Sequence, residues 1–300
     1  MSLWIPVTIA AAFFQTLRFM LQKHLSQVEL SAAGATFARF LYSAPLVAVL
    51  LALYLIFSEQ SLPDLSRAFW IYGVAGGAAQ VFATVCVVML FKQRNFAVGI
   101  TFKKTEVMQT VLVGLVVLGE GVSVLGFGAI FIGLIGVLLL SDPPGGTGTW
   151  LRRISNRSAG LGLVSGVFFA ISGVCYRGAS LEIVSDDPLL RAGVTLSAVT
   201  MMQMLGMALW LALREAGEIT AVWRARRVAG WIGLTSMAGS MCWFTAFTLQ
   251  TAAYVNALGQ VELIFSLIAS SLFFRESISW REIAGIGVLG ISILMLIIVI

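Results

Sequence analysis

Ten long apolar stretches constrain the fold of this chain more than any other feature of its sequence. They cover roughly residues 3–22, 33–57, 68–91, 97–118, 122–141, 159–180, 189–213, 228–249, 254–273 and 282–300. About 20 apolar residues in a helix span the hydrocarbon core of a bilayer. Barrel strands are excluded because the runs are continuously apolar, and an open sheet cannot satisfy its backbone in lipid. We therefore predict an all-α membrane protein of ten transmembrane helices.

The composition leaves no room for a separate soluble domain. Hydrophobic residues make up 59% of the 300 residues and charged residues only 11%, whereas soluble domains carry about 25% charged residues. The longest polar connection, Asp142–Ser158, is too short to fold alone. Most of the positive residues behind the net charge of +5 lie in short loops and at span ends, so no nucleic-acid partner is expected.

An internal repeat relates the two halves of the chain. Sliding the sequence on itself by 156 residues places Glu106 on Glu262 and Glu120 on Glu276. The chain has only ten glutamates, so two such coincidences at one offset indicate a duplication rather than chance.

The repeat predicts two domains of five spans each. The first covers residues 1–141, a polar linker covers 142–158, and the second covers 159–300. An odd number of spans reverses the second half in the membrane, so the halves are expected to be inverted-topology repeats. The loops after odd-numbered spans hold twelve Lys and Arg residues, whereas the opposite side holds two. Positive loops favour the cytoplasm, which places both termini outside.

Several short motifs resemble one family of transporters. Residues 259–266 and 273–276, followed by the glycine-rich tenth span, resemble the second half of an EamA-type protein. Residues 118–120 resemble the matching part of the first half, and Arg39 also fits the pattern, with Arg191 as a candidate counterpart. Over nearly its whole length, the chain is similar to the ten-helix branch of the drug/metabolite transporter superfamily.

That resemblance implies a monomeric transporter with a central cavity lined mainly by spans 1, 3, 4, 6, 8 and 9. It also implies a transport cycle by alternating access. The expected activity is export of amino acids, drugs or metabolites, or exchange of phosphorylated solutes. The resemblance further implies cytoplasmic termini, whereas the charge distribution places both termini outside. Many members carry a proline in the middle of spans 4 and 9, where this chain has Thr105-Glu106 and Val261-Glu262. The substrate of any one relative therefore cannot be assigned to this chain.

Two carboxylates at bilayer depth are the leading candidates for function. Glu106 lies near the middle of span 4 and Glu262 near the middle of span 9. A charge there costs about 2.5–3.5 kcal/mol, so each should face the bundle interior or water. Low-dielectric surroundings favour the proton-bound form of a carboxylate, which suits a proton-coupling site. The structural alternative is a buried ion pair, and Lys103, three residues before Glu106, could supply the cation.

Other polar and aromatic residues within the spans are weaker candidates for ligand contact. Lys104 points about 100° away from Lys103, so only one of the two can face the cavity. Arg18 and Arg39 lie closer to a membrane face and are expected to snorkel to it or to pair with a loop. The remaining candidates are the amides Gln15, Gln80, Gln109, Gln260 and Asn256, which line the cavity or bond across helices, and an aromatic wall of Tyr72, Trp243, Phe244, Phe247 and Tyr254.

These features predict a secondary transporter of small organic solutes in a bacterial inner membrane, most simply an exporter, with protons as a possible coupling ion and lipids as neighbours. The alternative is a translocator of lipids or lipid-linked carriers, with Arg18, Arg39 and Lys103 facing an anionic head group. An enzyme is not expected, because the chain lacks a nucleophile–base constellation. No cofactor or metal is expected either, since His24 is the only histidine and no nucleotide-binding loop occurs.

Overall fold

The computed structural model describes residues 2–28, 30–91, 103, 106–140, 157–274 and 280–299. These residues are helical apart from short connections and contain no strand. The elements are α1 (Trp4–Val28), α2 (Ala32–Phe57), α3 (Arg67–Phe91), α4 (Glu106–Leu118), α5 (Val124–Leu140), α6 (Arg157–Leu181), α7 (Pro188–Arg214), α8 (Glu218–Arg224), α9 (Arg226–Leu249), α10 (Ala252–Leu258), a 3₁₀ turn (Gly259–Val261), α11 (Glu262–Phe274) and α12 (Trp280–Val299).

Length and composition identify the membrane-crossing parts of the described chain. Seven helical segments are long and apolar enough to cross a bilayer, and α4, α5 and α12 contribute shorter apolar helices. Large apolar side chains such as Phe57 and Val116 are each 83% exposed, and an extensive apolar surface of this kind marks contact with lipid. The prediction of an all-α, multi-pass membrane protein is therefore confirmed, while the count of ten helices stays a prediction.

The structure differs from the predicted spans in two places. The ninth span changes from α-helical to 3₁₀ geometry over Gly259–Val261, between α10 and α11. Gly259 begins this turn against the ring of Trp243, where a Cβ would clash with the indole. The second difference is α8, a seven-residue helix in the connection between α7 and α9. A hydropathy pattern detects neither, because the turn has only three residues and α8 is too short to be periodic.

Most of the predicted polar linker lies outside the described residues. Only its last two residues, 157 and 158, belong to the structure, where they begin α6. Lys104 and Glu276 also lie outside the described residues, so the predictions made for them stay predictions.

Small residues allow the helices to pack closely. The closest neighbours are α3 with α6, α1 with α9, and α5 with α12, while α2 contacts both α7 and α9. At Gly76 a Cβ would lie 2.9 Å from the Cβ of Cys175 on α6. At Gly136 it would lie 3.0 Å from the backbone nitrogen of Leu289 on α12. In lipid, where packing rather than the hydrophobic effect drives helix association, such contacts hold the bundle together.

Two polar clusters fix one end of the bundle. Arg177 on α6 bonds both carboxylate oxygens of Glu120 at 2.7 Å and donates to the carbonyls of Phe247 and Gln250. Glu120 lies in the loop between α4 and α5, in agreement with the boundary role expected from its position. Arg177 thereby ties that loop to the end of α9.

Asp187 forms the second cluster by capping α7. Its carboxylate accepts from the N–H groups of Leu189 and Leu190 and from the hydroxyl of Tyr54 on α2. Partial burial acts to raise the pKa of Asp187, but the hydrogen bonds from Tyr54 and the two backbone N–H groups outweigh it, so the pKa lies below its ordinary value.

We expect Asp187→Ala to lower the free energy of unfolding by about 1–2 kcal/mol at pH 7, because it removes an N-cap and a bond between helices. Because the pKa of Asp187 is lower in the folded than in the unfolded protein, its carboxylate stabilises the fold at a pH above the unfolded-state pKa. This stabilisation is lost as the pH falls through the folded-state pKa. The deficit should therefore shrink in acid. Unfolding of the purified protein in detergent, at pH 7 and in acid, measures this deficit. Asp186→Ala, at an exposed neighbour, is the control, and an equal deficit for both variants would contradict the capping role.

Candidate functional site

A buried ionic cluster joins the two halves of the chain in the middle of the bundle. The carboxylate of Glu262 accepts from Nζ of Lys103 at 3.1 Å and from Nε2 of Gln15 on α1 at 3.0 Å. Nζ of Lys103 also lies 3.8 Å from Oε1 of Glu106. Glu262 is fully buried, Lys103 is 1% exposed and Glu106 is 5% exposed. One lysine therefore stands between the two glutamates that the sequence repeat pairs.

Glu262 lies where the 3₁₀ turn joins α11. Its backbone N–H already bonds to the carbonyls of Gln260 and Gly259, so no free helix N-terminus faces its carboxylate. The partners of the side chain are Lys103 and Gln15, which lie outside α11. The carboxylate is therefore held by contacts from other parts of the chain.

A small central cavity adjoins the cluster. Its volume is about 40 Å³, room for about three water molecules at 10–15 Å³ each, so this conformation holds no organic solute in the cavity. It is lined by Gln15, Gln80, Lys103, Glu106, Phe169, Ser172, Gly173, Tyr176, Ser240, Trp243, Phe244, Phe247 and Asn256. These residues come from predicted spans 1, 3, 4, 6, 8 and 9, the set that the family resemblance implied.

Arg18 and Arg39 lie inside the bundle. Arg18 is 2% exposed and Arg39 is 3% exposed, so the expectation that they snorkel to a membrane face is wrong. Nε and NH2 of Arg39 donate to the hydroxyls of Ser236 and Ser240 on α9, at 2.8 and 3.1 Å, and NH2 of Arg18 donates to Gln15 on its own helix. Sequence position alone could not show that the two side chains turn toward partners inside the bundle.

A network of amides and a phenol forms a second polar layer beside the cavity. Oε1 of Gln80 accepts from the hydroxyl of Tyr176 and from Nε2 of Gln203, each at 3.0 Å. Nε2 of Gln203 also donates to the carbonyl of Gly77 at 2.9 Å. Gln203 was not among the predicted residues, although a glutamine in an apolar span is the signal that could have identified it.

On the other side of that network, an apolar groove of about 470 Å³ runs between α3 and α7. Gln203 is its one strongly polar side chain, and the rest of its wall is formed by Ala33, Gly73, Val74, Gly77, Ala78, Val81, Phe82, Val85, Met202, Gly206, Met207 and Trp210. Both helices belong to membrane-crossing segments. The groove therefore opens sideways toward hydrocarbon, separated from the cavity by the Gln80–Gln203 bond.

The structure places the predicted site residues in two groups. Glu106, Lys103, Gln80, Trp243 and Asn256 line the cavity, and Glu262 bonds to its wall through Gln15 and Lys103. Nδ2 of Asn256 donates to the hydroxyl of Thr110 on α4 at 2.9 Å. Trp243 stacks on Phe247 with ring centroids 5.7 Å apart.

The structure does not bring the other predicted residues to the cavity. Tyr72 packs on Gly178 of α6, and Gln260 faces Gly133 of α5. Gln109 and Tyr254 are also outside the lining, and the hydroxyl of Tyr254 instead bonds to the loop before α5 at Ser123. Of the predicted aromatic wall, only the α9 residues lie at the cavity.

Comparisons with known proteins agree with this architecture. Residues 156–298 match the EamA-like transporter family. A protein of known crystal structure is similar over 97% of this chain and 99% of that one, with a TM-score of 0.67 and 14% identity, which shows a shared fold. No curated protein matches the chain. The second half of the chain is thus similar to the EamA-like transporter family, and this match supports the drug/metabolite transporter superfamily.

Proposed function

We propose that the protein is a secondary active transporter that exports small organic solutes, such as amino acids, metabolites or drugs, across a bacterial inner membrane. The observation that carries the proposal is the cluster of Glu106, Lys103 and Glu262, with Nζ of the lysine 3.8 and 3.1 Å from the two carboxylates. Buried ionisable groups in membrane helices mark substrate and ion pathways. The family match favours a transporter over an enzyme.

The proposal includes alternating access by two inverted repeats. Exchanging each helix for its counterpart at the 156-residue offset turns the α3–α6 contact into the α9–α1 contact, and both are among the closest in the bundle. The exchange also turns Gly77, which faces α7, into Gly233, which faces α2. Such correspondence supports a pseudo-two-fold axis with the site between the repeats, as in other inverted-repeat transporters.

Proton coupling follows from the position of Lys103 between two acids. When Glu262 takes up a proton, its contact with Lys103 weakens, while Glu106 stays near the lysine. When Glu262 releases the proton, the 3.1 Å ion pair closes again. The cavity of about 40 Å³ would have to widen between these states to admit a solute, and a contact that opens and closes with one proton supplies such a step.

We expect Glu262→Gln to abolish accumulation driven by a pH gradient while leaving solute exchange at equal concentrations measurable. Glutamine retains an acceptor for Gln15 but cannot exchange a proton. The measurement uses the full protein in proteoliposomes, with a solute selected by a thermal-shift screen of amino acids, organic cations and sugar phosphates. Glu182→Gln, at an acid bonded to Ser66 at the end of the bundle, is the matched control. Unchanged gradient-driven accumulation by Glu262→Gln would refute the coupling role.

A second candidate function, translocation of lipids or lipid-linked carriers, is favoured by one observation, the apolar groove between α3 and α7. A lipid translocator needs a lateral opening, and this groove of about 470 Å³ faces hydrocarbon, with Gln203 and the cavity behind it. Fluorescent phospholipids in proteoliposomes distinguish the two functions. Faster flip-flop of lipid than in protein-free vesicles, with no uptake of soluble solutes, would favour the second candidate, and Gly206→Trp, which fills the groove, should then slow it.

A further inference from the structure

The guanidinium of Arg39 is buried among neutral partners. Its Nε donates to Ser236 and its NH2 to Ser240, while its NH1 lies 3.5 Å from the hydroxyl of Thr84. None of these hydroxyls carries charge, and no carboxylate of the described chain pairs with Arg39. Its hydrogen bonds are therefore made but its charge is not balanced within the described residues, whereas a buried cation in a bilayer is normally paired with an anion.

Arg18 is in a similar position one layer away. Its NH2 donates to Oε1 of Gln15 at 3.2 Å, and its guanidinium lies 4.3 Å from the ring centre of Phe19. NH1 of Arg18 is buried without a hydrogen-bond acceptor among the described residues. The charge of Arg39 repels Arg18, and that of Glu262 attracts it. One donor of a buried cation thus has no hydrogen-bond acceptor in the part of the chain that the structure describes.

The charges of the cluster do not balance. Arg18, Arg39 and Lys103 supply three positive charges, and Glu106 and Glu262 supply two negative ones, all on side chains at most 6% exposed. Among the described side chains of the cluster, the excess is one positive charge when both glutamates are ionised. One singly charged anion would neutralise that excess.

We propose that Arg18 and Arg39 bind the anionic oxygen group of the transported solute, and that this group is a carboxylate. The proposal rests on the transport function proposed above. Gln15 and Ser240, the partners of Arg18 and Arg39, both line the central cavity. A carboxylate entering the cavity therefore needs only to replace these neutral partners to reach two guanidinium groups, whose forked donors match its two oxygens.

The same geometry couples the carboxylate to a proton. Glu262 and the bound carboxylate are both anions in the field of Arg18, so each weakens the binding of the other. Protonation of Glu262 removes that competition, and by linkage the carboxylate should bind more tightly when the proton is present. Among the described residues, Glu262 also faces Lys103 and Gln15, with Glu106 across the lysine. Binding of a carboxylate should therefore strengthen as the pH falls from 8 to 6.

A phospholipid head group also carries one negative charge, so the experiment must separate the two sources. The wild-type protein is titrated at pH 6 and pH 8 with matched pairs that differ in charge: phenylacetate and phenylacetamide, benzoate and benzamide. Aromatic probes suit the wall formed by Trp243, Phe244 and Phe247. In a parallel arm, the protein is placed in nanodiscs of phosphatidylcholine with or without phosphatidylglycerol.

We expect each acid to bind at least about tenfold more tightly than its amide, because the amide cannot complete the ionic cluster, and the difference should grow at pH 6. An amide that binds as tightly as its acid overturns the proposal. Stabilisation by phosphatidylglycerol, without any effect of the soluble acids, also overturns it, in favour of a lipid head group. If neither the acids nor their amides bind, the carboxylate proposal also fails, whereas the transport function is refuted separately, by the proteoliposome assay.

Variants then locate the site. Arg18→Gln and Arg39→Gln should each reduce the acid-to-amide preference at least about tenfold, whereas Arg191→Gln should leave it unchanged, since Arg191 donates to the carbonyl of Ser180 outside the cavity. The preference is a ratio, so it is insensitive to partial loss of folded protein. Should Arg18→Gln fail to fold, Arg18→Lys keeps the charge but loses the fork and should retain only part of the preference. Full preference in the Arg18 and Arg39 variants would refute the assignment.

Discussion

Lys103→Met should lower the free energy of unfolding by about 3–4 kcal/mol at pH 7, because it leaves the buried carboxylate of Glu262 without its cation. In the native protein, Nζ of Lys103 lies 3.1 Å from that carboxylate and 3.8 Å from that of Glu106. Methionine fills a similar volume and makes no ion pair. An upper limit exists, since Glu262 can take up a proton instead, which costs about 3.7 kcal/mol for a glutamate at pH 7.

The pH dependence and a second substitution test this explanation. If the penalty is that of protonating Glu262, it should fall by about 1.4 kcal/mol for each pH unit below 7, down to about pH 5. Lys103→Met combined with Glu262→Gln removes both charges and should recover most of the stability. Unfolding in detergent at pH 5 and pH 7 measures both effects. A double variant no more stable than Lys103→Met would show that Lys103 acts through packing and not through the ion pair.

Much of the fold follows from hydropathy, and the exceptions have a common cause. The boundaries of α2, α3, α7 and α9 lie within two residues of the predicted spans, because the cost of leaving polar backbone in lipid fixes where a helix can end. The 3₁₀ turn at Gly259 was missed because it depends on the shape of Trp243 on another helix. The inverted arrangement of the two halves stays a prediction from the repeat.

Site residues could be predicted where their charge alone identifies them. They could not be predicted where helix packing decides which of several similar polar or aromatic residues faces the cavity. Glu106, Glu262 and Lys103 stood out because charge at bilayer depth is costly. The bond between Gln15 and Glu262 joins residues 247 positions apart, and no local pattern encodes such a pair. Tyr72 was chosen for its residue type, but its ring packs on α6 away from the cavity.

The orientation of a buried arginine shows the same limit. Arg18 and Arg39 lie far enough along their helices for a long side chain to reach a membrane face, and snorkelling was therefore the expectation. The structure turns both inward, and the hydroxyls of Ser236 and Ser240 on α9 receive Arg39. Those serines share one face of α9 with Gly233, at helical spacings of three and four residues. The close approach of α2 to α9 at Gly233 therefore bears directly on the position of Arg39.

Gly233→Leu is expected to destabilise the protein by about 3 kcal/mol, at the upper end of the range for overpacked sites. A Cβ at Gly233 would clash with the Cβ of Tyr42 and would lie 2.9 Å from its carbonyl carbon and 3.1 Å from its Cα. Two of these atoms belong to the backbone of α2, so a rotamer change cannot relieve the clash and the helices must separate. Separation also draws Arg39 away from Ser236 and Ser240, so transport should be lost in whatever protein remains folded.

Gly230→Leu provides the matched control, because it makes the same chemical change one turn earlier in α9. A Cβ at Gly230 meets no atom within 4 Å, and replacing a helical glycine removes a propensity cost of about 1 kcal/mol. This variant should therefore be as stable as the native protein or more stable. Gly77→Ala, at the position that the repeat pairs with Gly233, meets only side chains at 3.4 Å or more and should be tolerated. Equal unfolding midpoints for Gly233→Leu and Gly230→Leu would contradict the close contact between α2 and α9. The position of Arg39, which depends on that contact, would then be wrong as well.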